Sequence, residues 1–100
     1  MKLIDLVLKE YIAIVEHFEK TETVTNNRII IDKIIFKNLL EKYGYLKFSE
    51  KIKIYKALNF IIHDKKTYTL TVWNNGKNIR KVALNYYTYQ QVKKLYETEI

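Results

Sequence analysis

The stretch TYTLTVWNNGKNIRKVAL, from Thr67 to Leu84, decides how the rest of the chain can fold. Apolar and polar residues that favour strands alternate up to Trp73, and this period of two predicts a β-strand. The residues Asn74-Asn75-Gly76 follow, and both residue types tolerate the left-handed backbone of a tight turn. The stretch therefore predicts a β-hairpin.

The loop of this hairpin can close in two ways. A two-residue Asn75-Gly76 loop would put Leu70 on the same face as Lys81. A three-residue loop closed by Trp73 and Lys77, a type I turn with Gly76 in a bulge, would instead collect the apolar residues on one face. We favour the three-residue loop for that reason. The residues it would gather are Tyr68, Leu70, Val72, Val82 and Leu84.

Length and composition indicate a single globular domain over residues 1–100, since 48% of its 100 residues are hydrophobic. The sequence contains no cysteine, which excludes disulfides and thiolate metal sites and fits a reducing cytoplasm. No apolar run approaches the roughly 20 residues of a membrane span. Charged residues interrupt the N-terminal apolar residues, unlike a secretory leader. We therefore expect a cytoplasmic protein that does not enter a membrane.

The net charge of +7 is distributed unevenly along the chain. Residues 1–32 contain four Lys and Arg and six Asp and Glu, a net charge of −2, whereas residues 33–94 contain fourteen and three, a net charge of +11. A basic segment of this kind in a small domain is typical of proteins that bind a polyanion such as nucleic acid.

Helical periodicity predicts a first helix from Leu3 to Phe18. Leu3, Leu6 and Ile12 widen its apolar stripe beyond one face, so the helix is either deeply packed or contacts a partner, in a homodimer or with another protein. Ile29 to Ile31 then favours a short strand over the first turn of a helix.

The middle of the chain predicts two more helices. Asp32 would cap a helix from Lys33 to Tyr43, followed by Gly44 at its C-terminal end. Ser49 would cap a third helix that reaches about Ile62. Beyond the hairpin, Thr88 and Gln91 match a capping box, with Tyr87 and Val92 as its hydrophobic staple, and predict a last helix from Thr88.

A helical wheel drawn to the end of the third helix separates an apolar side from a basic side that contains an aromatic residue. The basic side holds Lys53, Lys56, Phe60 and His63. An aromatic ring flanked by lysines can stack on a base while the ammonium groups hold phosphates. The three-residue hairpin loop would likewise place Trp73 beside Lys77 and Lys81 on a solvent-facing surface.

The sequence lacks the usual marks of an enzyme, a cofactor site or a metal site. It has only two glycines and therefore no phosphate-binding glycine loop, and its two histidines have no metal-ligand spacing. Ser49 is the only serine, and a helix cap is a sufficient role for it. We therefore expect a non-enzymatic protein without a cofactor.

The order helix, strand, helix, turn, helix, hairpin, helix resembles a winged helix-turn-helix domain. Residues 33–43, the turn GYLKFSE, residues 49–62 and the hairpin carry this resemblance, which implies an α+β fold with three to four helices and a hairpin wing in the C-terminal half. In that family the third helix usually enters the major groove and the wing contacts the backbone or minor groove. The resemblance thus implies contacts by residues of helix and wing, namely Lys51, Lys53, Lys56, Asn59, Lys77, Arg80 and Lys81.

The third helix departs from operator-reading helices because it has no arginine to pair with guanine, and only Asn59 suits adenine. Lysine contacts and the rings of Phe60 and Trp73 favour single-stranded or non-specific DNA instead. The chain is also similar in length and composition to small replication-accessory proteins of staphylococcal cassette chromosome elements. That similarity implies single-stranded DNA binding or a primer-making polymerase partner.

Two alternatives remain open from the sequence. One is a protein-interaction subunit that docks on a polymerase or helicase through the first helix. The other is a sequence-specific transcriptional regulator.

Overall fold

The computed structural model describes residues 2–98, apart from the side chains of Asn74 and Thr98. Within those residues the protein has the predicted α+β fold, with four helices and a four-stranded antiparallel sheet in an arrangement compatible with a winged-helix-like domain. The elements in chain order are α1 (Leu3–Glu19), β1 (Arg28–Ile31), α2 (Lys33–Lys42), α3 (Phe48–Ala57), β2 (Ile61–Ile62), β3 (Leu70–Asn74), β4 (Lys77–Asn85) and α4 (Tyr86–Thr98).

The long strand β4 is the centre of the sheet, because β1, β2 and β3 all pair with it in antiparallel fashion. Its C-terminal half lies between β1 and β2, where Leu84 pairs with both Ile29 and Ile61. Val82, Ala83 and Leu84 are consecutive and all fully buried, so both faces of β4 are covered here. The N-terminal half of β4 pairs with β3 and forms the hairpin wing.

The wing closes with the two-residue Asn75-Gly76 loop, and the favoured three-residue loop is wrong. Trp73 pairs with Asn78. Asn75 and Gly76 have φ angles of 50° and 76°, as the two central residues of a type I′ turn require. The prediction assumed that one face of β4 is buried along its whole length. In the structure β4 is exposed near the turn and buried on both faces near its end, so alternation does not report the register.

The helix α1 supplies much of the core and matches its predicted position. Val7, Tyr11, Val15 and Phe18 are buried on its inner side, at the spacing of successive helical turns. The hydroxyl of Tyr11 donates a hydrogen bond of 2.5 Å to the backbone carbonyl of Asn85 at the end of β4. The core thus joins the first helix to the end of the central strand.

The predicted strand and cap before α2 are also confirmed. Asp32 follows β1, and its carboxylate accepts hydrogen bonds from the backbone N–H groups of Ile34 and Ile35 at 2.8 and 3.2 Å. These bonds, led by the one from Ile35, lower the pKa of Asp32. The apolar side chains of α2 are only partly buried: Phe36 lies in the core, whereas half of the surface of Ile35 is exposed.

The third helix is shorter than predicted at its C-terminal end. It begins after Lys47 rather than at a Ser49 cap, and it ends at Ala57 instead of Ile62. Asn59 then takes a left-handed conformation with φ of 60°, which turns the chain and allows Ile61 and Ile62 to form β2.

The last helix begins two residues earlier than predicted, at Tyr86. The Asn85 side chain, rather than Thr88, caps it by accepting a hydrogen bond of 3.1 Å from the Thr88 N–H. Lys93 joins α4 to α1 through an ion pair of 2.7 Å with Glu16. The Lys93 hydrogen bond lowers the pKa of Glu16, and the same bond raises the pKa of Lys93.

Candidate nucleic-acid interface

Lys51 was predicted to contact nucleic acid, but it is fully buried and makes its bonds inside the protein. Its ammonium group donates to Glu10 Oε2 at 2.7 Å, to the carbonyl of Leu40 at 2.5 Å and to the carbonyl of Tyr43. These three bonds use all three donors of the group. Lys51 is therefore a structural residue, and the prediction of a DNA contact for it is wrong.

Glu10 supplies the negative charge that compensates the buried ammonium group of Lys51. Its Oε1 atom accepts hydrogen bonds from the hydroxyls of Tyr45 at 2.7 Å and Tyr55 at 2.8 Å. Burial, reinforced by the Glu10 charge, raises the pKa of Tyr55 well above its ordinary value. The cluster ties α1 to α3 and to the turn after α2, and it leaves no polar atom of Glu10 or Lys51 unpaired.

Phe60 is also misplaced by the sequence prediction, because it lies in the core with 2% of its surface exposed. Its ring stacks on the Tyr11 ring, with centroids 3.8 Å apart and planes 2° from parallel. The predicted wheel continued the helix through this position and so turned Phe60 outward. Since the helix ends at Ala57 and Asn59 reverses the chain, Phe60 points inward and cannot stack on a base.

The outer face of α3 retains two of its predicted basic residues. Lys53 is exposed and Lys56 is half-buried, and their separation of three residues places them on one side of the helix. Asn59 is exposed just beyond the helix end, where its positive φ angle serves the turn. This face can therefore hold phosphates, but it offers no aromatic ring.

The wing carries its predicted residues on two opposite faces. Trp73, 70% exposed, shares its face with Thr71 and Arg80, which pair directly across the hairpin. Lys77 and Lys81 lie on the opposite face, together with Leu70, Val72 and Ile79. The predicted grouping of Trp73 with Lys77 and Lys81 is wrong, and the cause is the one-residue difference in register.

The guanidinium of Arg80 bonds to residues of its own wing and of the segment that precedes it. It pairs with Asp64 at 2.7 Å, and Nε donates to the hydroxyl of Thr69 at 2.7 Å. Further bonds of 2.8 and 2.9 Å reach the hydroxyls of Thr67 and Thr71. Arg80 was predicted as a DNA contact, and these intramolecular bonds occupy much of its donor capacity.

His63 was predicted on the basic side of a helix, but it lies half-buried just after β2. Its Nδ1 atom donates a hydrogen bond of 2.8 Å to the carbonyl oxygen of Asp64.

Most of the basic side chains in residues 33–94 form no ion pair within the part of the chain that the structure describes. Of the fourteen basic side chains there, Lys51, Arg80 and Lys93 form ion pairs, and Lys94 also has an interaction. The other ten form no ion pair with any residue between 2 and 98. They are Lys33, Lys37, Lys42, Lys47, Lys53, Lys56, Lys65, Lys66, Lys77 and Lys81.

The residues predicted for a protein partner do not share one surface. Leu3 is 48% exposed and lines an apolar groove of about 410 Å³ with Ile4 and Leu58. Leu6 lines a different groove of about 300 Å³, together with Glu10 and Tyr45. Ile12 packs against the core.

Comparison with known proteins adds no family assignment: the sequence matches no protein-family model and no curated protein. Between residues 2 and 98, none of the helices combines the length and the apolar character needed to cross a lipid bilayer. The same residues bring together no group of three or more potential metal-binding side chains.

Proposed function

We propose that this protein is a non-enzymatic DNA-binding accessory protein that holds single-stranded or non-specific DNA through lysines of α3 and the wing. The observation that carries the proposal is the set of ten lysines without an ion pair among the described residues. The ammonium group of a lysine outside an ion pair can bind a phosphate without first breaking an ion pair, and the release of counterions makes such binding favourable. A cytoplasmic role in replication or in the maintenance of a mobile genetic element belongs to the same proposal.

Two elements of the winged-helix-like arrangement each present a pair of these lysines. Lys53 and Lys56 lie on the outer side of α3, and Lys77 and Lys81 lie on one face of the wing. Lysine acts as a point charge toward phosphate and reads no base sequence, which favours non-specific binding. The exposed indole of Trp73 favours single strands, because a base must be unpaired before it can stack on a side chain.

Fluorescence anisotropy with a labelled oligothymidine and a matched duplex, over a series of salt concentrations, tests the proposal. For single strands each lysine–phosphate contact contributes about 0.7 to the slope of log K against log salt. The variant Lys53→Gln/Lys56→Gln should therefore lower that slope by about 1.4. The control Lys9→Gln/Lys20→Gln removes the same charge from α1 and its C-cap residue and should leave the slope nearly unchanged.

Trp73→Ala should weaken binding to the single strand by about 1–3 kcal/mol, the usual contribution of one stacked base. Its effect on the duplex should be smaller, because paired bases cannot reach the ring. Affinity that does not depend on salt would contradict the proposal.

The interaction-subunit alternative has weaker support, because Leu3, Leu6 and Ile12 lie in three different surroundings. Light scattering of the isolated chain tests the homodimer version of it. The regulator alternative would require a sharp consensus from binding-site selection.

A further inference from the structure

The segment between β2 and β3, residues 63–69, folds against the wing face that carries Trp73. Within it, the N–H of Thr67 donates to the carbonyl of Asp64 at 3.3 Å, and the N–H of Asp64 donates to the carbonyl of Thr69 at 3.0 Å. The first of these bonds closes a turn with Lys65 and Lys66 at its two central positions. Both lysines are exposed, and neither forms an ion pair with residues 2–98.

Arg80 fixes this turn to the wing from both of its ends. One terminal nitrogen of its guanidinium, Nη2, donates to Asp64 Oδ2 at 2.7 Å and to Thr67 Oγ1 at 2.8 Å. The other terminal nitrogen, Nη1, donates to Thr71 Oγ1 at 2.9 Å on β3. Only a planar fork with several donors can reach the turn and the strand at once.

The same contacts bring the turn close to Trp73. Thr71 Oγ1 lies 3.5 Å from Asp64 Oδ2, and Trp73 follows Thr71 on the same face of β3. Two residues along a strand span about 7 Å. The turn and the exposed indole therefore form one surface on the wing, opposite the face of Lys77 and Lys81.

The charge on this surface favours a polyanion. Asp64 is the only acidic residue between Glu50 and Glu97, and its ion pair with Arg80 offsets its charge. The positive charges of Lys65 and Lys66 consequently have no acidic neighbour in the turn that cancels them.

We propose that Lys65 and Lys66 bind backbone phosphates of a single-stranded nucleic acid while one of its bases stacks on Trp73. Arg80 is a positioning residue in this site, since it holds the turn beside the indole. The inference rests on the proposed function and adds to it a strand path on the Trp73 face of the wing.

The placement of the lysines beside Trp73 can be tested without DNA. Trp73 is the only tryptophan of the chain, so tryptophan fluorescence reports this surface alone. Iodide, an anion, should quench that fluorescence more efficiently in the parent protein than in Lys65→Gln/Lys66→Gln. Quenching by neutral acrylamide should be the same in both, and Lys9→Gln/Lys20→Gln should match the parent with either quencher. Equal iodide quenching in all three proteins would overturn the placement.

The nucleic-acid contact is tested by titrating Trp73 fluorescence with unlabelled oligothymidine at several salt concentrations. Loss of two phosphate contacts in Lys65→Gln/Lys66→Gln should lower the slope of log K against log salt by about 1.4. If the parent protein binds but this variant behaves like Lys9→Gln/Lys20→Gln, the inference fails and the proposed function stands. If the parent protein shows no salt-dependent binding to DNA at all, the proposed function itself fails.

Arg80→Lys separates positioning from general support of the fold, because it keeps the charge but loses the fork. It should weaken binding in the parent protein and have little further effect in the Lys65→Gln/Lys66→Gln background, since the contacts it positions are already lost. An equal loss in both backgrounds would show that Arg80 does not act through the two lysines, and would overturn its assignment as a positioning residue.

Discussion

Replacing Lys51 with methionine tests whether the buried ion pair holds α1 against α3. The ammonium group is fully buried, 2.7 Å from Glu10 Oε2 and 2.5 Å from the Leu40 carbonyl oxygen. Methionine has a similar length but no donor, so the Glu10 carboxylate would lose its cation and the carbonyls of Leu40 and Tyr43 would lose a donor. Removing one partner of a buried pair costs about 3–5 kcal/mol. We expect Lys51→Met to lower the free energy of unfolding by that amount.

Urea denaturation followed by far-UV circular dichroism measures this loss. A domain of this size has a total stability of about 5–15 kcal/mol, so adding trimethylamine oxide to every sample keeps the variant folded at the start of the titration. Glu10→Gln provides the second single variant, because an amide oxygen can still accept from Tyr45 and Tyr55. The double variant should cost less than the sum of the two single variants by about 1–3 kcal/mol, since no buried charge is then left alone.

Lys93→Met is the matched control. Its ion pair with Glu16 has the same length of 2.7 Å, but both side chains are 38% exposed, so water screens the charges and solvates whichever partner remains. Its effect on unfolding should be far smaller. If Lys51→Met lowers the free energy of unfolding no more than Lys93→Met does, burial does not increase the contribution of the ion pair, and the reasoning is refuted.

Three further predictions concern the cap of α2, the wing turn and the core. Because the pKa of Asp32 is lowered in the folded protein, its stabilising effect is present above the ordinary aspartate pKa of 3.8 and is lost as the pH falls through the lowered value. The Tm difference between the parent and Asp32→Ala should therefore shrink in acid, whereas the Tm difference between Asp32→Asn and Asp32→Ala should not change over the same pH range. Gly76→Ala should lower the free energy of unfolding by about 1–2 kcal/mol, because φ of 76° strains any residue with a Cβ, and a urea titration that finds no loss would contradict the type I′ turn. Phe60→Leu should lower the free energy of unfolding by about 1–3 kcal/mol while leaving the DNA affinity of the folded protein unchanged. Weaker DNA binding by the variant under conditions in which it is fully folded would contradict the position of Phe60 in the core.

The elements with strong local signals could be predicted from the sequence. The cap at Asp32, the apolar period of α1 and the turn residues Asn75 and Gly76 each act through neighbours in the chain. The register of the wing could not be predicted by alternation, because Val82 to Leu84 are consecutive and all fully buried, and Ala83 and Leu84 pair with strands on both sides.

The candidate site was predicted less well because burial depends on where α3 ends. Asn59 is the residue from which the end of α3 could have been predicted, since asparagine is one of the few residues that ends a helix in the left-handed conformation. Glu10 carried another: it lies in the buried stripe of α1 between Val7 and Ile14, and a buried carboxylate needs a buried cation. Nothing local identified Lys51 as that cation. Lys65 and Lys66 were missed because the bond network that carries them beside Trp73 depends on Arg80, fifteen residues from Lys65 along the chain.

Twelve of the fourteen basic residues between 33 and 94 fall into two groups with different physical roles. Lys51 and Arg80 bond to carboxylates and backbone or hydroxyl oxygens of the protein, and they fix where α1, the segment 63–69 and the wing lie. The ten lysines without an ion pair in residues 2–98 contribute little to holding these elements in place. Their charges repel one another, which lowers the stability of the folded state. A chain under selection for stability alone has no reason to keep them concentrated in one segment, whereas a phosphate backbone relieves that repulsion when it binds. The distribution of ion pairs, rather than the count of lysines, therefore supports the proposed binding of a polyanion.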